Sequence, residues 1–364
     1  MKTFTCCCGN TLHFENTRCL GCGRGVAFLP DALVVAALEP LGDRGLRALL
    51  PWQWDMRYRR CRNDTDYQVC NWMVRDDDAD AYCVSCRLNR VIPDLSSARN
   101  VELWRRIEEA KRRLMYTVLR LGLPFTGRDH DAHGGLGFRF LADTDADSEY
   151  SFHIPPRGRV LTGHDDGLIT INLAEADTVA REAMRERMNE EYRTLLGHFR
   201  HESGHYFWDR LLRDSALLAD FRALFGDERA DYALALSRHY AGGAPERWRD
   251  CWISAYAASH PWEDWAETWA HYLHMIDTLE TAEDFGFTIH GEPVRCSGSP
   301  ALAGQPREDD FERLFDDWVR LTTAMNAINR SMGLSDAYPF ALNPPAARKL
   351  GFVHALVRCA REPE

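Results

Sequence analysis

Two histidines and a glutamate between residues 201 and 205 form the most chemically specific pattern in this sequence. His201, Glu202 and His205 follow the spacing H-E-x-x-H inside a segment without proline, made mostly of good helix formers. At 3.6 residues per turn, both imidazoles lie on one helix face and can bind the same Zn²⁺ ion, while Glu202 lies beside a water on that metal. The pattern predicts a metal-assisted hydrolytic site, with His201 and His205 as ligands and Glu202 as general base.

A second group of potential ligands lies downstream, in the segment HPWEDWAETWAH that begins at His260. A helix starting after Pro261 would place Glu263 and Glu267 on one face, among tryptophan and alanine, where buried carboxylates need a metal or polar partners. The spacing resembles that of gluzincins, the H-E-x-x-H enzymes whose third ligand is glutamate and whose next acidic residue orients a ligand histidine. This resemblance favours Glu263 as third ligand and Glu267 as the orienting residue. The reverse assignment, with Glu267 on the metal, stays open.

Cysteine and histidine are segregated along the chain: nine of twelve cysteines precede residue 87, and thirteen of fourteen histidines follow residue 129. Two C-x2-C pairs, and glycine directly after two of the cysteines, are typical of closed four-ligand zinc sites with structural roles. The first predicted site is Cys6, Cys8, Cys19 and Cys22, and the second is Cys61, Cys70, Cys83 and Cys86. The run Cys6-Cys7-Cys8 is irregular, so Cys7 in place of Cys6 stays open. We therefore expect one catalytic and two structural zinc ions.

This segregation indicates two domains with different metal chemistry. The loop-like segment 93–100 separates a zinc-ribbon domain over residues 1–95 from a second domain over residues 96–364. Short strands and turns are predicted for residues 1–30, and strands for 136–142 and 168–173. Apolar periodicity predicts helices at 101–121, 178–213, 215–225, 228–240, 246–258, 262–280 and 309–332. The predicted fold class is therefore α+β: a ribbon module followed by a mainly helical domain with a small β-sheet.

Several longer segments carry a resemblance to a known family. They are GHFRHESGHYFWDRL, FGDERADYALALSRHY and SAYAASHPWEDWAETWAHYLHM in the second domain, and HFENTRCLGCG and CVSCRLNRVIPDLS in the first. Together they resemble the bacterial zinc-binding metallopeptidases that carry an N-terminal zinc-ribbon domain, over nearly the whole chain. The resemblance implies a zincin-like fold and a cytoplasmic hydrolase acting on peptide bonds. It also implies a tyrosine near the third ligand that stabilises the oxyanion, for which Tyr256 is the first candidate. The alternatives for this donor are His239, Tyr240 and His260.

The charge balance bears on the partners of the chain. It holds 44 basic and 55 acidic residues, a net charge of −11, which does not favour nucleic-acid binding because such binding depends on neutralising phosphates. The longest apolar run, Ala32–Leu38, is too short for a bilayer span, and the start MKTFTCCCG lacks the apolar stretch of a secretory signal. We expect the substrate to be a peptide or a protein. For the zinc ribbon, the binding partner that we expect is another protein. The alternative hypothesis is an adaptor that binds peptides in a protease-like cleft without cleaving them.

Overall fold

The computed structural model describes residues 1–42, 45–52, 56–143, 160–188, 190–296 and 309–360. Its N-terminal part is built from short antiparallel strands. One hairpin pairs β1 (Phe4–Thr5) with β2 (Thr11–Leu12). Five further strands form an antiparallel sheet in chain order, namely β3 (Val26–Leu29), β4 (Val34–Pro40), β5 (Leu46–Leu49), β6 (Arg57–Arg60) and β7 (Met73–Arg75). A short helix, α1 (Arg62–Tyr67), lies between the last two strands along the chain.

A second sheet belongs to the C-terminal part. Its strands are β8 (Asn89–Val91), β9 (Gly137–Leu141), β10 (Gly163–Asp165) and β11 (Leu168–Asn172), in the spatial order β10-β11-β9-β8. The strands β8, β9 and β11 are parallel, whereas β10 pairs antiparallel with β11 across a turn at Asp166 and Gly167. Both turn residues have positive φ, 46° and 80°, which is the conformation that Asp-Gly adopts in two-residue hairpins. Among the described residues, β10 is therefore an edge strand of this sheet.

Helices dominate the rest of the described chain. They are α2 (Ala98–Leu121), α3 (Thr178–Arg187), α4 (Leu195–Leu211), α5 (Leu218–Phe225), α6 (Tyr232–Gly242), α7 (Pro261–Asp284), α8 (Asp309–Ser331) and α9 (Pro344–Cys359). A small hairpin of β12 (Thr288–Ile289) and β13 (Glu292–Pro293) follows α7. Helix α4 packs against α7 and α2. None of the described helices combines the length and the apolar character that a bilayer crossing requires.

One continuous hydrophobic core joins the two parts of the chain. The rings of Phe14 and Phe28, in the N-terminal part, have centroids 5.5 and 5.9 Å from that of Tyr116 in α2. Strand β8, inside the predicted ribbon domain, pairs with β9 in the sheet of the C-terminal part. The α+β class, with a cysteine-rich N-terminal part followed by a mainly helical part, is confirmed. The boundary near residue 95 stays a prediction.

The predicted helix 178–213 is two helices in the structure. Helix α3 ends at Arg187, and α4 begins only at Leu195. The new start is capped by Thr194, whose side-chain oxygen accepts a hydrogen bond from Gly197 N at 3.0 Å. A threonine in this position satisfies one of the free N–H groups of a helix start. The cap therefore sets where the helix with the H-E-x-x-H residues begins.

The predicted helix 246–258 is wrong. Apart from a 3-10 turn at Trp248–Asp250, this segment consists of turns and bends. Two of its carbonyl groups bond to a distant side chain, since Asn343 donates to the carbonyl oxygens of Arg249 and Trp252 at 2.7 and 3.1 Å. These carbonyls therefore accept from Asn343, the residue that caps α9, instead of from the N–H groups of a helical turn. Helix α9 itself has no counterpart among the predicted helices.

Candidate active site

Helix α4 presents its two histidines toward α7 because the two helices cross closely. The rings of His201 and His205 lie one turn apart, with centroids separated by 5.1 Å. Gly204 lies at the crossing, where an added Cβ atom would be 3.0 Å from Ala266 Cα. Glycine therefore permits an approach that a larger residue would obstruct. This approach brings the histidines of α4 within reach of carboxylates on α7.

The start of α7 determines the position of Glu263. His260 precedes the helix, and its Nδ1 accepts a hydrogen bond from Trp262 N at 3.1 Å. Pro261 occupies the first helical position, where its fixed φ and missing N–H are tolerated. Glu263 follows in the first turn, with only 1% of its side chain exposed. One turn later, Glu267 lies on the same face.

Three potential ligands converge between α4 and α7. The ligand atoms of His201, His205 and Glu263 all lie within 4.8 Å of one another. Glu263 Oε2 is 3.0 Å from His201 Nε2, and Glu263 Oε1 is 3.7 Å from His205 Nε2. Glu263 Oε2 is buried and has no hydrogen-bond donor of good geometry. A buried carboxylate oxygen without a donor, beside two imidazole nitrogens, fits a zinc ion with three protein ligands.

Glu267 contacts the other side of the His201 ring. Its Oε1 is 2.7 Å from His201 Nδ1, and its Oε2 accepts a hydrogen bond from Ser254 Oγ at 2.7 Å. This contact fixes the orientation of the imidazole and the nitrogen that carries its proton. Of the two carboxylates, it is Glu263 that the structure brings into the group of potential ligands. The roles of Glu263 as ligand and Glu267 as orienting residue stay predictions that this geometry supports.

The carboxyl group of Glu202 is buried beside the ligand group. Glu202 is 8% exposed and lines the same cavity as His201. Burial raises the pKa of Glu202; the charges of His201 and His205 oppose the rise, and those of Glu263 and Glu267 add to it. A carboxyl group with a raised pKa accepts a proton more readily, which suits a residue that takes up a proton and releases it again.

A cavity of about 1280 Å³ opens onto His201, Glu202 and Tyr256 and extends to α3 and Phe340. It is larger than the roughly 300–1,000 Å³ of typical small-molecule sites. Tyr256 lies in the loop before α7, and its ring centroid is 5.9 Å from that of His201. Burial raises the pKa of the Tyr256 hydroxyl well above its ordinary value. The hydroxyl therefore keeps its proton and is able to donate a hydrogen bond.

Two residues near the site were given no role by the sequence, although Tyr232 lies in one of the segments that carry the family resemblance. Tyr232, the first residue of α6, donates a hydrogen bond from its hydroxyl to Glu263 Oε1 at 2.6 Å. His164 in β10 stacks on His205 with centroids 6.0 Å apart, and its Nε2 accepts a hydrogen bond from Gly167 N at 2.9 Å. Burial lowers the pKa of His164 to about 3, so the ring is uncharged. The Asp-Gly turn signals the hairpin that holds His164, whereas no sequence signal indicates the contact of Tyr232.

The predicted cysteine ligands also come together in two groups. In each group the sulfur atoms lie within 4.8 Å of one another: Cys6, Cys8, Cys19 and Cys22 form the first cysteine site, and Cys61, Cys70, Cys83 and Cys86 form the second. Cys7 is exposed and lies outside the first group, with its sulfur 4.0 Å from that of Cys6. The first cysteine site is partly exposed, whereas the four cysteines of the second are all buried.

Comparisons with known proteins identify the family of the chain. Residues 100–356 match the family described as "Putative zinc-binding metallo-peptidase", and residues 3–97 match a zinc-ribbon domain. Uncharacterized proteins of Mycobacterium bovis and of two Mycobacterium tuberculosis strains are each 40% identical over 363 residues, covering 98% of this chain and 95% of each relative. No solved structure matches the chain. The family matches confirm the resemblance seen in the sequence, and the chain belongs to this zinc-binding metallopeptidase family with an N-terminal zinc-ribbon domain.

Proposed function

We propose that the chain is a zinc-dependent peptidase of gluzincin type, which hydrolyses peptide or related amide bonds. The observation that carries this proposal is the convergence of His201, His205 and Glu263 in one buried place, with the Glu202 carboxyl group beside them. Three protein ligands leave one coordination position open, as in catalytic zinc sites, whereas four ligands close a site. Membership of the metallopeptidase family supports the same reaction.

Each residue around the site has a separate task in this mechanism. Bound zinc supplies Lewis-acid chemistry that polarises the substrate carbonyl and makes water a nucleophile near neutral pH. Glu202 accepts the proton of the attacking water and then delivers it to the leaving amine. Tyr256 donates a hydrogen bond to the oxyanion that develops on the carbonyl oxygen. Glu267 holds His201 through Nδ1, so that Nε2 stays directed toward Glu263.

The two cysteine sites complete the proposed metal content as structural zinc sites. Four thiolates close each of them, which excludes substrate and water from the metal. The chain would then hold three zinc ions, of which the one between α4 and α7 has the fewest protein ligands. We expect mild chelation to remove that ion before the other two.

The edge strand β10 is the proposed guide for an extended substrate. The strand predicted at 168–173 is β11, which lies inside the sheet, whereas β10 forms the edge and contacts α4. A peptide can add to a free sheet edge through main-chain hydrogen bonds. This placement supports a peptide or protein segment as the substrate.

Nucleic acid is not favoured as a partner of the ribbon part. Its arginine-rich segment around β6 is engaged in local ion pairs, of Arg60 with Asp64 at 2.6 Å and of Arg62 with Asp66 at 3.0 Å. Arginines held by carboxylates in this way contribute little to phosphate neutralisation. A protein partner of the ribbon part stays a proposal alongside the peptide substrate.

Replacement of Glu202 by glutamine tests the proposed function. Glutamine keeps the shape of the side chain but cannot accept the proton, so we expect the cleavage rate to fall by about 10²–10⁴-fold with zinc content unchanged. Cleavage of unfolded casein and of a mixed peptide library is followed by mass spectrometry. Glu186→Gln, at an exposed position of α3, is the matched control and should retain the wild-type rate.

Two outcomes would contradict this proposal in different ways. Cleavage by Glu202→Gln at the wild-type rate would contradict the assignment of the general base. Saturable peptide binding by the zinc-loaded wild type without any cleavage would favour the adaptor over the enzyme.

A further inference from the structure

Helix α6 lies beside the proposed metal site although it buries none of its side chains. Its start is capped by Asp231, whose side chain accepts a hydrogen bond from Leu234 N at 3.0 Å. Tyr232 is 38% exposed, yet its hydroxyl donates to Glu263, whose side chain is 1% exposed. A surface helix therefore contacts the most buried carboxylate of the site through a tyrosine hydroxyl.

The start of α6 is docked on the start of α7. His260 Nε2 is 3.1 Å from the carbonyl oxygen of Ala230. The Tyr232 ring lies edge-on to the rings of His260 and Trp262, with centroids 5.1 and 6.2 Å apart. His260 is also the residue that caps α7. The same short segment thus positions both the Tyr232 hydroxyl and the Glu263 carboxylate.

The two oxygens of Glu263 have different surroundings. Oε1 accepts the 2.6 Å hydrogen bond from Tyr232. Oε2 is buried, lies 3.0 Å from His201 Nε2 and has no donor of good geometry. An ionised carboxylate can use either oxygen, or both, toward a metal. The hydroxyl occupies one lone pair of Oε1, which lies 3.7 Å from His205 Nε2, whereas Oε2 accepts no hydrogen bond and is the oxygen better placed for the metal.

We propose that Tyr232 is a positioning residue for the third zinc ligand: its hydroxyl engages Glu263 Oε1 and so holds the carboxylate with Oε2 turned to the metal. This inference rests on the proposed function, because it requires zinc on His201, His205 and Glu263. Groups that hydrogen-bond a metal ligand typically contribute about 10–100-fold to metal affinity. Without the hydroxyl, the Glu263 carboxylate can rotate away from the geometry that suits zinc, and the metal is held less tightly.

The test compares full-length wild type, Tyr232→Phe, Tyr67→Phe and Glu263→Ala. Tyr67, in α1, is 40% exposed and serves as the matched control for loss of a tyrosine hydroxyl far from the site. Competition with a chromophoric chelator measures the affinity of the most weakly held zinc, and metal analysis counts the ions that remain. We expect Tyr232→Phe to lower the affinity for the most weakly held zinc by about 10–100-fold. The number of more tightly held zinc ions should not change. Tyr67→Phe should bind the weakly held zinc with wild-type affinity.

Thermal unfolding separates positioning from a merely structural role. If Tyr232 positions the metal ligand, Tyr232→Phe should lower the melting temperature of the zinc-loaded protein more than that of the protein from which the weakly held zinc has been removed. An equal loss in both forms, or an unchanged zinc affinity, would overturn the inference. Glu263→Ala separates this failure from that of the proposed function. If Glu263→Ala also bound the weakly held zinc like wild type, the ligand assignment itself would fall, and the inference with it.

Discussion

A buried arginine of α2 provides a quantitative test of how the second cysteine site is held. Arg112 is 5% exposed and donates a hydrogen bond to the carbonyl of Val69 at 2.5 Å. Burial alone would disfavour its charge, but the negative charges of Cys70, Glu108, Cys86 and Cys83 raise the pKa of Arg112 above its ordinary value. Four thiolates around one Zn²⁺ carry two net negative charges. We therefore expect Arg112 to be a buried cation that, beside Glu108, compensates the charge of a zinc-thiolate centre.

Arg112→Met keeps most of the side-chain volume but removes the charge and the donor. Leaving a buried charge without its partner costs about 3–5 kcal/mol. An unfolding entropy of roughly 2.1 cal/mol/K per residue gives about 0.76 kcal/mol/K for the 364 residues. The melting temperature should therefore fall by about 4–7 °C. Because one core joins both parts of the chain, we expect a single transition.

The neighbouring arginine is the matched control for this measurement. Arg113 lies on the same helix with 36% of its side chain exposed, and it pairs with Glu15 at 2.5 Å and with Glu109 at 3.2 Å. Ion pairs of this exposure contribute about 0–1 kcal/mol, so Arg113→Met should lower the melting temperature by about 1 °C or less. Circular dichroism during heating in zinc-containing buffer measures both variants. Equal melting temperatures for the two would refute the role assigned to Arg112.

Two further predictions concern the crossing of α4 and α7. Glu267→Ala should weaken zinc binding by about 10–100-fold because His201 loses its Nδ1 partner, whereas Glu263→Ala should abolish binding at that site. Chelator competition measures both, and a greater loss for Glu267→Ala would reverse the assignment. Gly204→Val places Cβ 3.0 Å from Ala266 Cα, which should cost about 1–3 kcal/mol through overpacking and separate the histidines from Glu263. Wild-type melting temperature and zinc content in this variant would show that the close crossing is not required.

The H-E-x-x-H pattern could be interpreted from the sequence because its geometry is local. His201 and His205 share a helix face in any α-helix, whatever surrounds it. The third ligand is different, because Glu263 and Glu267 share a face as well. The two glutamates can be told apart only in the folded structure, where Glu267 contacts His201 Nδ1 and Ser254.

Features that depend on distant contacts escaped sequence reasoning. The segment 246–258 has apolar residues at helical spacing, yet it is a loop whose Arg249 carbonyl bonds to Asn343, 94 residues later. Tyr232 lies on an exposed helix, 31 residues from the carboxylate that it contacts. The hairpin of β10 and β11 is a separate case, since its Asp-Gly turn is a strong local signal. The sequence analysis predicted only the strand 168–173, and the strand β10 before the turn and its contact with α4 are seen only in the structure.

The central claim is that His201, His205 and Glu263 hold a zinc ion between α4 and α7. Anomalous X-ray scattering at the zinc absorption edge, from crystals of the zinc-loaded protein, locates each ion directly. We predict one peak in each cysteine site and a third peak about 2.0–2.2 Å from His201 Nε2, His205 Nε2 and Glu263 Oε2. A zinc ion on Glu267 in place of Glu263, or no zinc between α4 and α7, would contradict the claim.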